Sequence, residues 1–197
     1  MDNTDPFDSF HAEYDIWFDE NTEVFLAELD LLKNVCASET PKLEIGVGTG
    51  RFALPLGIEY GLEPSSNMAQ YALRRGICTV RGYAGDIPFA DGSFGAVYMI
   101  TVLCFIENPM KALEEVRRVL SERGCLIIGF VDKDSGLGQK YLAKKEKSRF
   151  YRNAHFYSAD EVIEMLGKFG FTGISISGIS DEAFGSGYYF TVIKAEK

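Results

Sequence analysis

KLEIGVGTG, residues 42–50, is a short apolar run that dissolves into alternating glycines. Such a run reads as a buried strand delivering a tight loop. Glycine is useful at that place because it tolerates positive φ in a sharp turn and lets a ligand lie against bare backbone amides. In an open α/β sheet, ligands bind beyond the carboxyl ends of the strands, near the point where strand order reverses. Gly46, Gly48 and Gly50 are expected there. A dinucleotide fingerprint, GxGxxG, needs its third glycine where Arg51 stands, so the spacing disfavours NAD. Glu44, two residues before Gly46, adds a carboxylate that suits an ammonium-bearing ligand, as S-adenosylmethionine is, better than a pyrophosphate. Glu63 lies seventeen residues beyond Gly46. An acid roughly twenty residues on takes ribose hydroxyls in nucleotide-binding α/β folds.

Outward from this loop the order is mostly strand, turn, helix, repeated, which predicts a parallel α/β sheet. Val24, Phe25, Leu29 and Leu32 recur at helical spacing, so a helix from about Glu20 to Val35 precedes the first strand. IEYGLEP is the second strand, and Pro64, Ser65, Ser66 and Asn67 supply caps for a helix that stops at Gly76. ICTVRGY and FGAVYMI are the third and fourth strands. Asn108-Pro109 starts a helix whose buried stripe is Ala112, Leu113, Val116, Val119 and Leu120. GCLIIGFV is the fifth strand, and Ser158 to Glu161 form a capping box before Val162, Ile163, Leu166 and Phe169. TGISISGI and YYFTVIKA fit an antiparallel hairpin joined by a glycine-containing turn, bringing the strands to seven. Pro55 should break any helix after Gly50, leaving that wall of the site open or irregular.

The chain has 197 residues, 46% of them hydrophobic and 25% charged, with a formal net charge of −9. One domain and no membrane span are expected. The acidic MDNTDPFDSF start lacks a secretory pattern, and cytoplasmic residence is the expectation. The net charge disfavours nucleic acid as a partner. Lys140, Lys144, Lys145, Lys147, Arg149 and Arg152 face only Glu146 in their stretch, which reads either as a solvated face or as a lure for an acidic substrate. Cys36, Cys78, Cys104 and Cys125 form no CxxC pair, so no metal site is expected and the thiols should be reduced and mostly buried.

LEIGVGTGRFA, GLEPSSNM, GYAGDIPFADGSF and ENPMKALEEVRRVLSERGCLII occur in this order between Leu43 and Gly129. Together they resemble the small class I S-adenosylmethionine-dependent methyltransferases related to quinone-biosynthesis enzymes. The resemblance implies a three-layer, Rossmann-like α/β fold with a seven-stranded, mostly parallel sheet whose last strand is antiparallel. It also implies that Glu44, Gly46, Gly48 and Gly50 line the methionine part of the cofactor, that Glu63 binds its ribose, and that Pro64, Ser65 and Met68 border the adenine. Where similar enzymes carry an aspartate for the adenine amine this chain has Tyr83, so adenine contacts fall to Ala84 and Gly85 or to Asp86. A frequent His-His pair is replaced by Cys104-Phe105, while Ile100 and Thr101 still pass close to the cofactor.

Residues 1–40 then form an N-terminal helical cap whose aromatic residues Tyr14, Trp17 and Phe18 either cover the cofactor or pack on the sheet. Residues 133–157 form an insertion contributing to the acceptor site, with His155 as the candidate base for a protonated acceptor. Three readings stay open: methyl transfer to a small molecule, an NAD-type oxidoreductase, and a non-catalytic binder of S-adenosylmethionine. The sequence does not name the acceptor.

Overall fold

Strand β1 (Lys42–Ile45) is buried at every position, as a strand inside a parallel sheet must be when helices cover both faces. A computed structural model, describing residues 4–180 and 187–197, places it in a seven-stranded sheet of order β3-β2-β1-β4-β5-β7-β6. The other strands are β2 (Tyr60–Leu62), β3 (Cys78–Val80), β4 (Phe94–Ile100), β5 (Leu120–Val131), β6 (Thr172–Ile179) and β7 (Phe190–Glu196). Neighbours from β3 through β5 are parallel, whereas β7 runs antiparallel to both β5 and β6. Strand order reverses between β1 and β4, so their carboxyl ends splay apart into a crevice.

Eight α-helices occur among the described residues: α1 (Asp5–Ser9), α2 (His11–Glu20), α3 (Thr22–Val35), α4 (Ala53–Leu56), α5 (Ser66–Arg74), α6 (Pro109–Val119), α7 (Gly136–Lys144) and α8 (Ala159–Lys168). Alternation along the strands sends Leu43, Ile45, Val97 and Met99 to one core, shared with Leu113 and Val116 of α6 and Val162 and Leu166 of α8. Ala96, Tyr98 and Ile100 point to the other, shared with Phe18 of α2, Leu29 and Leu32 of α3, and Ala72 of α5. Each such Leu, Val or Ile contributes about 1.5–3 kcal/mol by leaving water.

The helix starts follow the expected chemistry. The Ser65 side chain accepts from the Met68 amide, Asn108 accepts from Lys111, and Ser158 with Glu161 forms a reciprocal capping box. Caps of this kind are worth about 1 kcal/mol each. Pro55 and the left-handed Gly57 confine α4 to a single turn.

Some expectations need correction. Leu120 belongs to β5, where it pairs with Phe94, rather than to the buried stripe of α6. Phe169 is the C-cap of α8 and only partly buried. Among the cysteines only Cys125 is buried; Cys36 and Cys104 are intermediate, and Cys78 is exposed on the edge strand. The wall after Gly50 is not open, because Phe52 packs 5.8 Å from Phe18 and 5.2 Å from Phe25 of the N-terminal helices. The expected hairpin turn falls mainly on residues 181–186, outside the described residues. No helix among the described residues is long and apolar enough to cross a membrane. No cluster of metal-ligating side chains occurs among them either.

Candidate active site

The glycine loop leaves β1 with all three glycines at positive φ: 67° at Gly46, 54° at Gly48 and 83° at Gly50. Their side-chain-free positions serve different ends. A Cβ on Gly46 would come within 2.2 Å of Val102 Cγ2, so the loop and the end of β4 approach as closely as backbone allows. A Cβ on Gly50 would press within 3.3 Å of the Ala72 Cα, which makes Gly50 a helix-packing residue. Gly48 alone leaves room for a Cβ, which would lie in ordinary contact with the Tyr14 ring at 3.7 Å.

Glu63, at the end of β2, ties this loop to the next. One carboxylate oxygen accepts from the Gly48 amide and the other from the Ser65 amide, both at 2.9 Å. Burial, with a smaller push from the charge of Asp8, raises this carboxyl to about 7 although the two amides oppose the shift. Glu44 is harder to ionise still: burial, then the charge of Glu63, raises it well above 4.5. Its Oε2 is buried with no hydrogen-bond partner. At the end of β4, Thr101 holds φ at 52° while its amide donates to the Gly129 carbonyl at 2.7 Å. A β-branched residue in the left-handed region is strained, and such strain persists where the surroundings enforce it.

These loops open onto a cavity of about 910 Å³, at the upper end of the roughly 300–1,000 Å³ usual for ligand clefts. Tyr14, Gly46, Gly48, Glu63, Pro64 and Met68 line it at one end. Tyr83, Ala84 and Gly85 line the side beyond β3, and Ile100 and Thr101 the middle. Cys104, Phe105, Asn153, His155 and Tyr157 close the far end, so the segment 133–157 does reach the cavity. The His155 amide donates to the Cys104 carbonyl at 2.7 Å, and its exposed ring lies 4.6 Å from that of Tyr157.

Four expected contact residues lie outside the cavity wall. Glu44 is 2% exposed and sits behind the loop, on the sheet face opposite Leu43 and Ile45. Gly50 packs on α5. Ser65 is fully buried, its hydroxyl spent on capping α5 and on donating to Asp8 at 2.7 Å. Asp86 is exposed, because its amide closes a tight turn onto the Tyr83 carbonyl.

The sequence reading missed the clamp that holds the N-terminal helices over the site. Arg51 donates from Nε and Nη2 to the two oxygens of Asp15, each at 2.9 Å, and from Nη1 to Asp19 at 2.7 Å. Arg75 reaches the same Asp15 at 2.8 Å and the Thr49 carbonyl of the glycine loop at 2.6 Å. Burial resists ionisation of Asp15, but the two guanidinium groups win and hold its carboxyl below the usual range. Farther along, Asp8 accepts from the Asn67 amide at 3.0 Å, and the Phe7 ring sits 4.9 Å from Phe105. Arg51 occupies the place where a dinucleotide loop would need its third glycine. No spacing rule announces a salt-bridge partner thirty-six residues upstream.

Comparison with known proteins agrees with this geometry. A methyltransferase domain family matches residues 43–128. An uncharacterised protein of Methanocaldococcus jannaschii is 48% identical over 171 residues, covering 85% of this chain and 82% of that protein. An uncharacterised Mycobacterium tuberculosis protein is 37% identical over 83% of this chain, which spans only 59% of that longer protein. The crystal structure of a Thermotoga maritima S-adenosylmethionine-dependent methyltransferase, described as a possible histamine N-methyltransferase, superposes with a TM-score of 0.91. It is 38% identical, and 98% of each chain is covered. With the reversed seventh strand, the glycine loop and the crevice at the β1/β4 switch, these likenesses leave one reading: the chain belongs to the S-adenosylmethionine-dependent methyltransferases.

Proposed function

We propose that this enzyme methylates a small-molecule acceptor seated at the Cys104 to Tyr157 end of the cavity, and that the acceptor is an amine. The observation that carries the reading is the single continuous cavity of about 910 Å³ running from the glycine loop to His155, with room for two small molecules side by side. The residues present suit the cofactor. Gly48 offers bare backbone, and Glu63 offers carboxylate oxygens for ribose hydroxyls. Pro64, Met68, Ala84 and Gly85 would flank the adenine, and Tyr14, Ile100 and Thr101 the reacting centre.

S-adenosylmethionine, when bound, supplies an already activated methyl group. The chain's own residues therefore need only align the acceptor and exclude water. Phe7 and Tyr14 cover the cavity from the clamped N-terminal helices, and Phe105 with Tyr157 walls the acceptor end. An amine arrives protonated and must lose a proton before it attacks; His155, exposed on that wall, is placed to accept it. Glu107 at the same mouth offers a negative charge to an incoming ammonium. The description of the Thermotoga maritima relative as a possible histamine N-methyltransferase supports the amine class. Kinship with the quinone-biosynthesis branch rests on the motif series between Leu43 and Gly129 alone.

The test is thermal stabilisation by S-adenosylhomocysteine and by NAD, followed by a labelled-methyl assay over amines, phenols, thiols and carboxylates. S-adenosylhomocysteine should stabilise the protein and NAD should not, since only a ligand of the native state raises its melting temperature. Label should accumulate on amines, and His155→Ala should slow it. Stabilisation without label on any member of the panel would favour a non-catalytic binder instead.

A further inference from the structure

At the amino end of β1, away from the cavity, Cys36, Lys42 and Tyr98 meet. Cys36 caps the end of α3, and its Sγ lies 3.1 Å from the Tyr98 hydroxyl. That hydroxyl accepts from the Ala37 amide at 3.0 Å, so its own hydrogen is free to point at sulfur. The Lys42 Nζ donates to Cys36 Sγ at 3.5 Å and to the Leu56 carbonyl at 3.3 Å. Lys42 is only 9% exposed. It nevertheless forms no ion pair among the described residues. A buried ammonium without a carboxylate is costly unless another group shares its charge. The Glu59 carboxylate accepts from the Lys42 backbone amide at 2.9 Å but makes no ion pair with the ammonium, so the ionisable group that the ammonium itself contacts is the sulfur, which also has a hydroxyl donor at hand.

We propose that Cys36 is the reactive thiol of this chain and the site at which a low-molecular-weight disulfide adds, with Lys42 and Tyr98 stabilising charge on its sulfur. In the exchange Cys36 Sγ attacks one sulfur of the disulfide and a new S–S bond forms. The old S–S bond breaks, and the expelled half leaves as a thiol carrying the proton that Cys36 gave up through solvent. Nucleophilic cysteines occur in such partly exposed, electropositive surroundings. The other three are poorer candidates. Burial pushes Cys104 up to about 12 and Cys125 up to about 11. Cys78 is exposed but has no side-chain hydrogen-bond or ion-pair partner among the described residues.

The cysteines therefore permit a direct contest between exposure and activation. The native protein is treated with 2-hydroxyethyl disulfide, a small neutral probe, and mixed disulfides at each cysteine are followed by peptide mass spectrometry. Cys36 should react about tenfold faster than the more exposed Cys78. Lys42→Met should remove about that factor at Cys36 while leaving Cys78 unchanged, and Lys42→Arg should largely restore it. Should Lys42→Met fail to fold, reaction at the buried Cys125 will show it, and the wild-type comparison then decides. Faster reaction at Cys78, or an unaltered Cys36 rate in folded Lys42→Met, overturns the proposal.

Discussion

Binding of S-adenosylhomocysteine should weaken about tenfold between about pH 8 and about pH 6, because Glu63 changes its charge inside that window. Its carboxyl sits at about 7, raised chiefly by burial. Above that value both oxygens are acceptors, holding the Gly48 and Ser65 amides and still able to take ribose hydroxyls. One unit below it about nine-tenths of the molecules carry a proton on one oxygen, which can then no longer accept both an amide and a hydroxyl. If only the ionised form binds the nucleoside, the apparent dissociation constant rises by the reciprocal of the ionised fraction, about tenfold.

Isothermal calorimetry of the wild type and Glu63→Gln at both pH values gives the measurement. The variant cancels any titration of the ligand itself. It should bind about ten- to hundredfold more weakly at the higher pH, the loss of one charge-assisted hydrogen bond at about 1.5–3 kcal/mol, and its affinity should change little with pH. A pH-independent wild type, or an equal slope in Glu63→Gln, refutes the assignment; Glu44→Gln would then show whether the neighbouring acid is the one that titrates. Stability without ligand runs the other way. The folded carboxyl lies above its unfolded value of 4.5, so stability is lost as pH rises from there through about 7. At about pH 8 the deficit is about 3 kcal/mol.

Two further outcomes test the clamp and another buried acid. Arg51→Met removes five hydrogen bonds that fasten α2, leaving Asp15 with Arg75 as its remaining ion-pair partner; urea unfolding should register a loss of about 2 kcal/mol, and S-adenosylhomocysteine should dissociate faster in stopped flow. Unchanged dissociation would mean that the N-terminal helices do not control access. Glu28, buried in α3, is raised to about 8 by burial alone, so Glu28→Gln should be near neutral at about pH 5 and stabilising by up to about 5 kcal/mol at about pH 9. Equal effects at the two pH values would show that the carboxyl is not buried as described.

The parts of the fold and site that were legible in the sequence depend on short-range rules. Ser65, Asn108 and Ser158 were readable as caps because a cap is written within four residues of its amide. The strand from Lys42 to Ile45 was readable because a central parallel strand is apolar on both faces, and Gly48 because a bare loop after such a strand has few other uses. Gly50 shows the limit of the same rule: glycine is needed both where a ligand touches backbone and where a helix does, and only the neighbouring Ala72 tells them apart. Glu44 fails for a related reason, since motif position fixes its strand but alternation fixes its face.

Long-range pairing explains what sequence could not supply. Arg51 reads as a defect in a glycine fingerprint until Asp15 is seen against it, and Asp15 reads as a surface acid until Arg51 and Arg75 neutralise it. The consequence is functional. The side chain that stands where a dinucleotide loop would carry its third glycine instead fastens the helix that sets Tyr14 beside Gly48. Selectivity here would then reside less in the glycines, which many cofactors tolerate, than in the charged residue that follows them.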